Sequence, residues 1–259
     1  DLDGDSRVET LLQLVAVSPP DREVSLLCFS QDGRLKWQFR PGRRVSTAAQ
    51  TFSDDYSLVN FATLTLPGRK GQHVVATSCH AWSWPNQIVL LSPEGKMVGE
   101  YWHSGHLMAL HTADVDGDGV DEILAAGVNN GQRRATLVVL DPRRLDGGSR
   151  QPMGDPTQLE DFTPGTEEGI LYFPRTCITE ATASPYHRVY LIQATATSID
   201  VFVRQAAHQH GPYLIYRFDR KLNLLGVTPP DDFPAQHREL ERAGKLDHHL
   251  GPRDYEQWK

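Results

Sequence analysis

The stretch Asp114-Val115-Asp116-Gly117-Asp118-Gly119-Val120-Asp121-Glu122, followed at once by Ile123-Leu124-Ala125-Ala126, constrains this chain more than any other. Carboxylates stand at positions 1, 3, 5 and 9 of a nine-residue loop, and glycines at 4 and 6 let the backbone turn so that several hard oxygens converge. Left alone, these charges repel one another. A divalent cation relieves the repulsion, and Ca²⁺, which takes six to eight oxygen ligands, suits the side chains of Asp114, Asp116, Asp118 and Glu122. A solvated acidic turn is the plain alternative; the spacing, both glycines and a following apolar strand together favour a cation clamp.

The pattern recurs at the first residue, where Asp1, Asp3, Asp5 and Glu9 fall at the same offsets and the strand-like residues 10–17 follow. An EF-hand is the obvious competitor, but its loop has twelve positions and helical flanks. Here the ninth residue closes the loop and a strand leaves it. On these residues the chain resembles the FG-GAP/VCBS repeat family, calcium-loop repeats that build integrin-alpha-like β-propellers and carry Asp-x-Asp-x-Asp-Gly-x-x-Asp/Glu between the first two strands of a blade. The resemblance implies a ligand set completed by the seventh-position carbonyl, that of Val120 in one loop and of Arg7 in the other. The first copy departs from the pattern with Ser6 where the second has Gly119.

A chain of 259 residues is long enough for one large all-β domain, and 21 Gly with 17 Pro favour turns over long helices. Within residues 1–259 four repeats of loop, strand and hairpin can be laid out, at about 1–45, 46–104, 105–150 and 170–230. The first closes on a hairpin at Gln31-Asp32-Gly33 and the second on Pro93-Glu94-Gly95. Aligned on the acidic loop, the second copy runs from Thr65 to His73, keeps Gly68 and Gly71, and has lost the carboxylates, so no metal is expected there. The fourth aligns with Arg188 at the ninth position and leaves an extra alternating stretch, Ile199-Asp200-Val201-Phe202-Val203. Residues 147–169 read as a long surface loop, and residues 231–259 as a short helix stopped by Gly244 plus a charged, surface-bound tail. Small antiparallel sheets with two apolar faces are buried best by radial stacking, so a β-propeller of four visible blades, or an arc of a larger ring, is expected.

A net charge of −7 argues against nucleic-acid binding, and no apolar run reaches the 18 residues of a membrane span. Calcium loops are most useful where the ion is at millimolar levels, so a periplasmic or extracellular setting is expected, with an upstream segment as a possible tether. Cys28, Cys79 and Cys177 sit in apolar contexts as buried hydrophobes. His80, His103 and His106 lie near strand ends and can be imagined meeting as a transition-metal site, although a turn setting favours loop capping. His208, His210, His248 and His249 are expected in solvent. Trp82, Trp84 and Trp102 cluster with those histidines; a ligand-binding rim is one reading, and core filler between blades is the favoured one.

No nucleophile elbow, phosphate loop or dinucleotide fingerprint is present. The expected function is therefore a non-catalytic, calcium-stabilised binding or sensor module for a protein or carbohydrate partner, part of a larger bacterial surface or signalling protein. The alternatives are a calcium-propeller polysaccharide lyase or hydrolase, a metalloenzyme using the histidines, and an assembly element with an open sheet edge.

Overall fold

The computed structural model describes residues 1–18, 21–81, 83–183, 187–205 and 211–259. The first sheet comprises β1 (Thr10–Ser18), β2 (Asp21–Phe29) and β3 (Leu35–Phe39), in that order. A two-stranded ladder, β4 (Val45–Ser46) and β5 (Thr51–Phe52), leads to the second sheet of β6 (Tyr56–Thr65), β7 (Gln72–His80), β8 (Asn86–Leu91) and β9 (Met97–His103). The third holds β10 (Gly105–Ala113), β11 (Glu122–Asn129), β12 (Arg134–Leu140) and β13 (Glu167–Tyr172). After helix α1 (Cys177–Ala181) comes the fourth, β14 (Arg188–Ala194), β15 (Ser198–Arg204), β16 (Tyr213–Asp219) and β17 (Leu224–Thr228), and then α2 (Asp232–Arg242) and α3 (Pro252–Gln257). Every strand pairing is antiparallel and each of the four larger sheets is a simple meander.

Matched irregularities identify equivalent strands. The first two strands of the second, third and fourth sheets share a register shift, at Leu58/Asn60, Leu107/Ala109 and Val189/Leu191. The last two strands of all four share another, at Cys28/Phe29, Leu90/Leu91, Val139/Leu140 and Arg217/Phe218. Three of those last pairs turn tightly: Gly33 N–H donates to Ser30 O (2.8 Å), Gly95 N–H to Ser92 O (2.9 Å) and Leu222 N–H to Asp219 O (3.2 Å), each donor with positive φ. β1 therefore corresponds to β7, β11 and β15, and the first sheet has no strand equivalent to β6.

These matches correct two sequence expectations. In the fourth repeat, Arg188 opens the first strand rather than closing a loop, and the supposed extra stretch is the second strand; residues 195–197 alone join them, too few for a nine-residue loop. Residues 147–169 are also no free surface loop. Trp102 N–H donates to Gly147 O (2.9 Å) and Ser149 N–H to Trp102 O (2.7 Å), so the connection extends the second sheet beyond β9 and buries Ser149 and Leu159.

Consecutive sheets stack with their side chains alternating between two apolar layers. β7 and β8 send Val74, Ala76, Val89 and Leu91 toward the first sheet and Val75, Ile88 and Leu90 toward the third. β11 does likewise, with Ile123 and Ala125 toward the second sheet and Leu124 and Ala126 toward the fourth. Burial on both faces is why these strands read as continuous apolar runs. The first strands lie together, β6 against β10 and β10 against β14.

Helix α2 buries Phe233, His237 and Leu240, positions i, i+4 and i+7 of one stripe. It ends as the sequence predicts at Gly244, whose φ of +67° allows Lys245 N–H to reach Leu240 O (2.9 Å) and its own N–H to reach Glu241 O (2.9 Å). The tail does not merely lie on the surface: Trp258 is buried with its ring centroid 4.9 Å from that of Phe233.

Gly127 in β11 tests the close approach at the β10 bulge, because a Cβ there would lie 1.9 Å from His106 O. Gly127→Ala should lower stability by about 1–3 kcal/mol through overpacking, read as a reduced urea midpoint.

Candidate metal centre

The loop at residues 114–122 joins β10 to β11 and is pinned by its second and seventh residues, Val115 and Val120, both buried in the apolar layers. Its backbone wraps around its own carboxylates. Gly117 and Gly119 N–H donate to Asp114 Oδ1 (2.7 Å) and Oδ2 (3.0 Å), Asp118 N–H to Asp116 Oδ1 (2.9 Å), Val120 N–H to Asp118 Oδ1 (2.8 Å) and Val115 N–H to Glu122 Oε2 (2.9 Å). The loop at residues 1–9 repeats the scheme: Gly4 and Ser6 N–H on Asp1 (2.7 and 2.8 Å), Asp5 N–H on Asp3 (3.2 Å), Arg7 N–H on Asp5 (2.8 Å) and Leu2 N–H on Glu9 (2.6 Å). Ser6 holds φ +70° where Gly119 holds +85°.

The two loops differ in what neutralises them. Asp114, Asp116 and Glu122 each place one carboxylate oxygen within 4.8 Å of the others. Asp118 is turned outward to Arg143, Nη1 to Oδ2 2.7 Å, and the Val120 N–H together with that guanidinium holds its carboxyl below the usual range. Glu122 is fully buried, and its Oε1 has no hydrogen-bond partner. Burial, reinforced by Asp116, Glu168 and Asp118, pushes its pKa up to about 7. A buried carboxylate oxygen without a donor is costly, and a hard cation beside Asp114 and Asp116 would satisfy it, so this donor set fits a divalent metal.

At the first loop an ammonium group already serves. Asp1, Asp3 and Asp5 converge, but Lys36 Nζ binds both Asp3 and Glu9, the latter at 3.0 Å. The hydrogen bond from Lys36 lowers the Asp3 pKa; at Glu9 burial acts to raise the pKa, yet Leu2 N–H and Lys36 outweigh it. Arg7, at the place of the buried Val120, is exposed.

The sequence-predicted aromatic and histidine rim is not assembled as a site. Trp82 lies outside the described residues. Trp102 is fully buried, with Nε1 on Glu100 (2.9 Å) and the Arg43 guanidinium 5.2 Å from its ring. Trp84 is half-buried, edge-on to Phe52 at 4.8 Å. His80 bonds Ser53 Oγ (3.0 Å) between the rings of Phe52 and Tyr56. His103 is fully buried beside Asn129, and burial drives its pKa down to about 3; His106 is half-buried at about 4, through burial and Arg188. The three imidazoles form no common donor group. The connection after β12 covers Trp102 and makes it core, the reading the sequence favours over a ligand rim. Unforeseen from the sequence is a separate donor group, Cys177, His237 and His248.

No family model matches the chain, and no curated protein does. Among solved structures, a protein of unknown function from Bacteroides caccae aligns with 84% of this chain and 78% of its own length, at 9% identity and a TM-score of 0.30. A likeness that weak carries no argument about fold or function.

The Glu122 environment gives a crossing prediction. Its folded pKa lies above the usual carboxylate value, so in chelator its contribution is full below about pH 4.5 and is lost as pH rises toward 7. At pH 7.5 in chelator, Glu122→Gln should therefore be more stable than the parent by about 1–3 kcal/mol. In millimolar calcium the order should reverse. Chemical denaturation in the two buffers reads both signs.

Proposed function

We propose that the four larger sheets are blades of a β-propeller, and that the chain is a calcium-braced recognition module without chemistry of its own. The observation that carries the calcium reading is the buried, unpartnered oxygen of Glu122 at the head of a loop whose Asp114 and Asp116 oxygens already converge. The propeller reading rests on the matched bulges, the meander order and the side-by-side first strands. Calcium is assigned to the loop at residues 114–122, with Val120 O completing the set as the family resemblance implies. At the loop of residues 1–9, Lys36 competes for the same carboxylates. Affinity of this class suits a periplasmic or extracellular setting.

A protein partner is favoured over a carbohydrate. Trp102, one of the aromatics that could have formed a sugar platform, is buried, whereas β1 exposes 49% of Leu12 and 36% of Leu14. Exposed leucines on one face of a strand suit contact with another polypeptide better than stacking on a sugar. Light scattering separates a foreign partner from self-assembly, since a strict monomer excludes the latter. The enzymatic alternatives make a different demand: new reducing ends or unsaturated products from a polysaccharide panel would overturn the non-catalytic reading.

Calcium at about a hundred times its dissociation constant should add about 2.7 kcal/mol to stability. For a chain of this size that is a rise in Tm of roughly 5–10 °C. Asp116→Ala and Glu122→Ala should each abolish the rise, and identical melting of the parent chain in calcium and in chelator would remove the basis of the proposal. Lys36→Met should lower Tm in chelator and gain a larger calcium-dependent recovery than the parent, because it strips Asp3 and Glu9 of their counter-charge.

A further inference from the structure

The C-terminal helices bring together three donors that no acidic loop contains. Cys177 is the first residue of α1, His237 lies in the middle of α2, and His248 stands between α2 and α3. One ligand atom from each lies within 4.8 Å of the other two. His237 is 0% exposed, and neither of its ring nitrogens makes a hydrogen bond of good geometry. Its Nδ1 stands beside the Glu241 carboxylate, which leaves Nε2 without a partner, and a buried ring nitrogen in that state is costly unless something absent from the protein itself completes it.

We propose that Cys177, His237 and His248 form a zinc-class transition-metal site, which ties the C-terminal segment to α1 and the fourth sheet.

The donor chemistry is selective. A thiolate and two imidazoles suit Zn²⁺ or its spectroscopic substitute Co²⁺ and are poor ligands for calcium, so this site is independent of the acidic loops. The outer groups are also those a metal-bound histidine uses. Glu241 Oε1 lies 2.7 Å from His237 Nδ1, and Asp254 Oδ1 lies 3.1 Å from His248 Nε2 with Asp247 Oδ1 3.3 Å from its Nδ1. One nitrogen of each ring can thus turn to the metal while a carboxylate orients the other. For one sulfur and two nitrogens around tetrahedral zinc, donors stand about 3.3–3.6 Å apart, so the group must tighten by up to about 1.5 Å. His248, 40% exposed, has the freedom to do this by rotating. The fourth position is open to water or to the Asp254 carboxylate. The rings of His237 and His248 meet edge to face at 5.2 Å, and simple ring packing is the competing account.

The test uses the full chain, reduced and freed of metal, titrated with Co²⁺ and then with Zn²⁺. One equivalent of Co²⁺ should give a thiolate-to-metal charge-transfer band and strong d–d absorption of a tetrahedral ion, both displaced by Zn²⁺. Cys177→Ser should lose the charge-transfer band, and His248→Gln, at an exposed position, should weaken binding at least about tenfold while remaining folded. Asp116→Ala should leave the titration unchanged, which separates this site from the calcium loop. A folded parent chain that shows no charge-transfer band, or a band that persists in Cys177→Ser, would overturn the proposal and leave ring packing as the account.

Discussion

Burial of both faces of the second and third sheets is the constraint from which the rest of the structure follows. A strand such as β8, with Val89 and Leu91 on one side and Ile88 and Leu90 on the other, has no face to spare for water, so a sheet must lie on each side of it. Short meanders meet that demand cheaply, because each closes locally and only its faces seek neighbours. The loops entering β1, β7 and β11 are pinned by the same layers through Leu2, Leu66 and Val115, each at the second position of its nonapeptide. Packing therefore gives the loop its place before any ion does. The loop at residues 65–73 shows this directly, since it keeps the left-handed glycines Gly68 and Gly71 although it holds no carboxylate. Its Gln72 N–H even supports the neighbouring loop by donating to Leu2 O at 2.7 Å.

Given that placement, each acidic loop faces the same electrostatic problem and meets it differently. Lys36 reaches from β3 into the loop at residues 1–9 and bridges Asp3 and Glu9. In the third sheet the strand equivalent to β3 is displaced by the connection at residues 141–166, and the nearest cation, Arg143, engages Asp118 and Asp141 instead. Glu122 is left with a bare oxygen in an apolar layer. The same long connection that covers Trp102 thus coincides with the loop whose ninth residue, Glu122, has no counter-charge. Both features distinguish the third sheet from the first.

What was legible in the sequence was whatever rests on local chemistry. The hairpins at Asp32-Gly33 and Glu94-Gly95 are dictated by a residue able to take positive φ, and the acidic nonapeptides by spacing alone. The end of α2 at Gly244 belongs to the same class. The fourth repeat was misaligned because residues 195–197 replace the loop that served as the marker, and bulges such as Val189/Leu191 have no sequence signature. Trp102 stayed open between rim and core because its burial depends on residues about forty-five positions away, at Gly147 and Ser149. His237 carried a readable signal, since it shares the i, i+4, i+7 stripe of Phe233 and Leu240.

The first and fourth sheets are finished in different ways. At the fourth sheet, Ile178, Phe233, Leu240 and Trp258 from the three helices enter the same apolar layer as β12 and β16, so the layer is closed by the chain itself. At the first sheet, β1 is an edge strand with Leu12 and Leu14 in water, and no described element covers them. Unpaired backbone beside exposed leucines is an arrangement that isolated proteins avoid by charge, proline or a bulge. Residues 11–15, Leu-Leu-Gln-Leu-Val, carry no charge and no proline. The loop at residues 1–9 leads straight into this strand, so the Lys36 bridge that organises the loop also sets the position of β1. Charge compensation at the loop and the placement of the strand are then mechanically one element, because loosening the first frees the N-terminal end of the second.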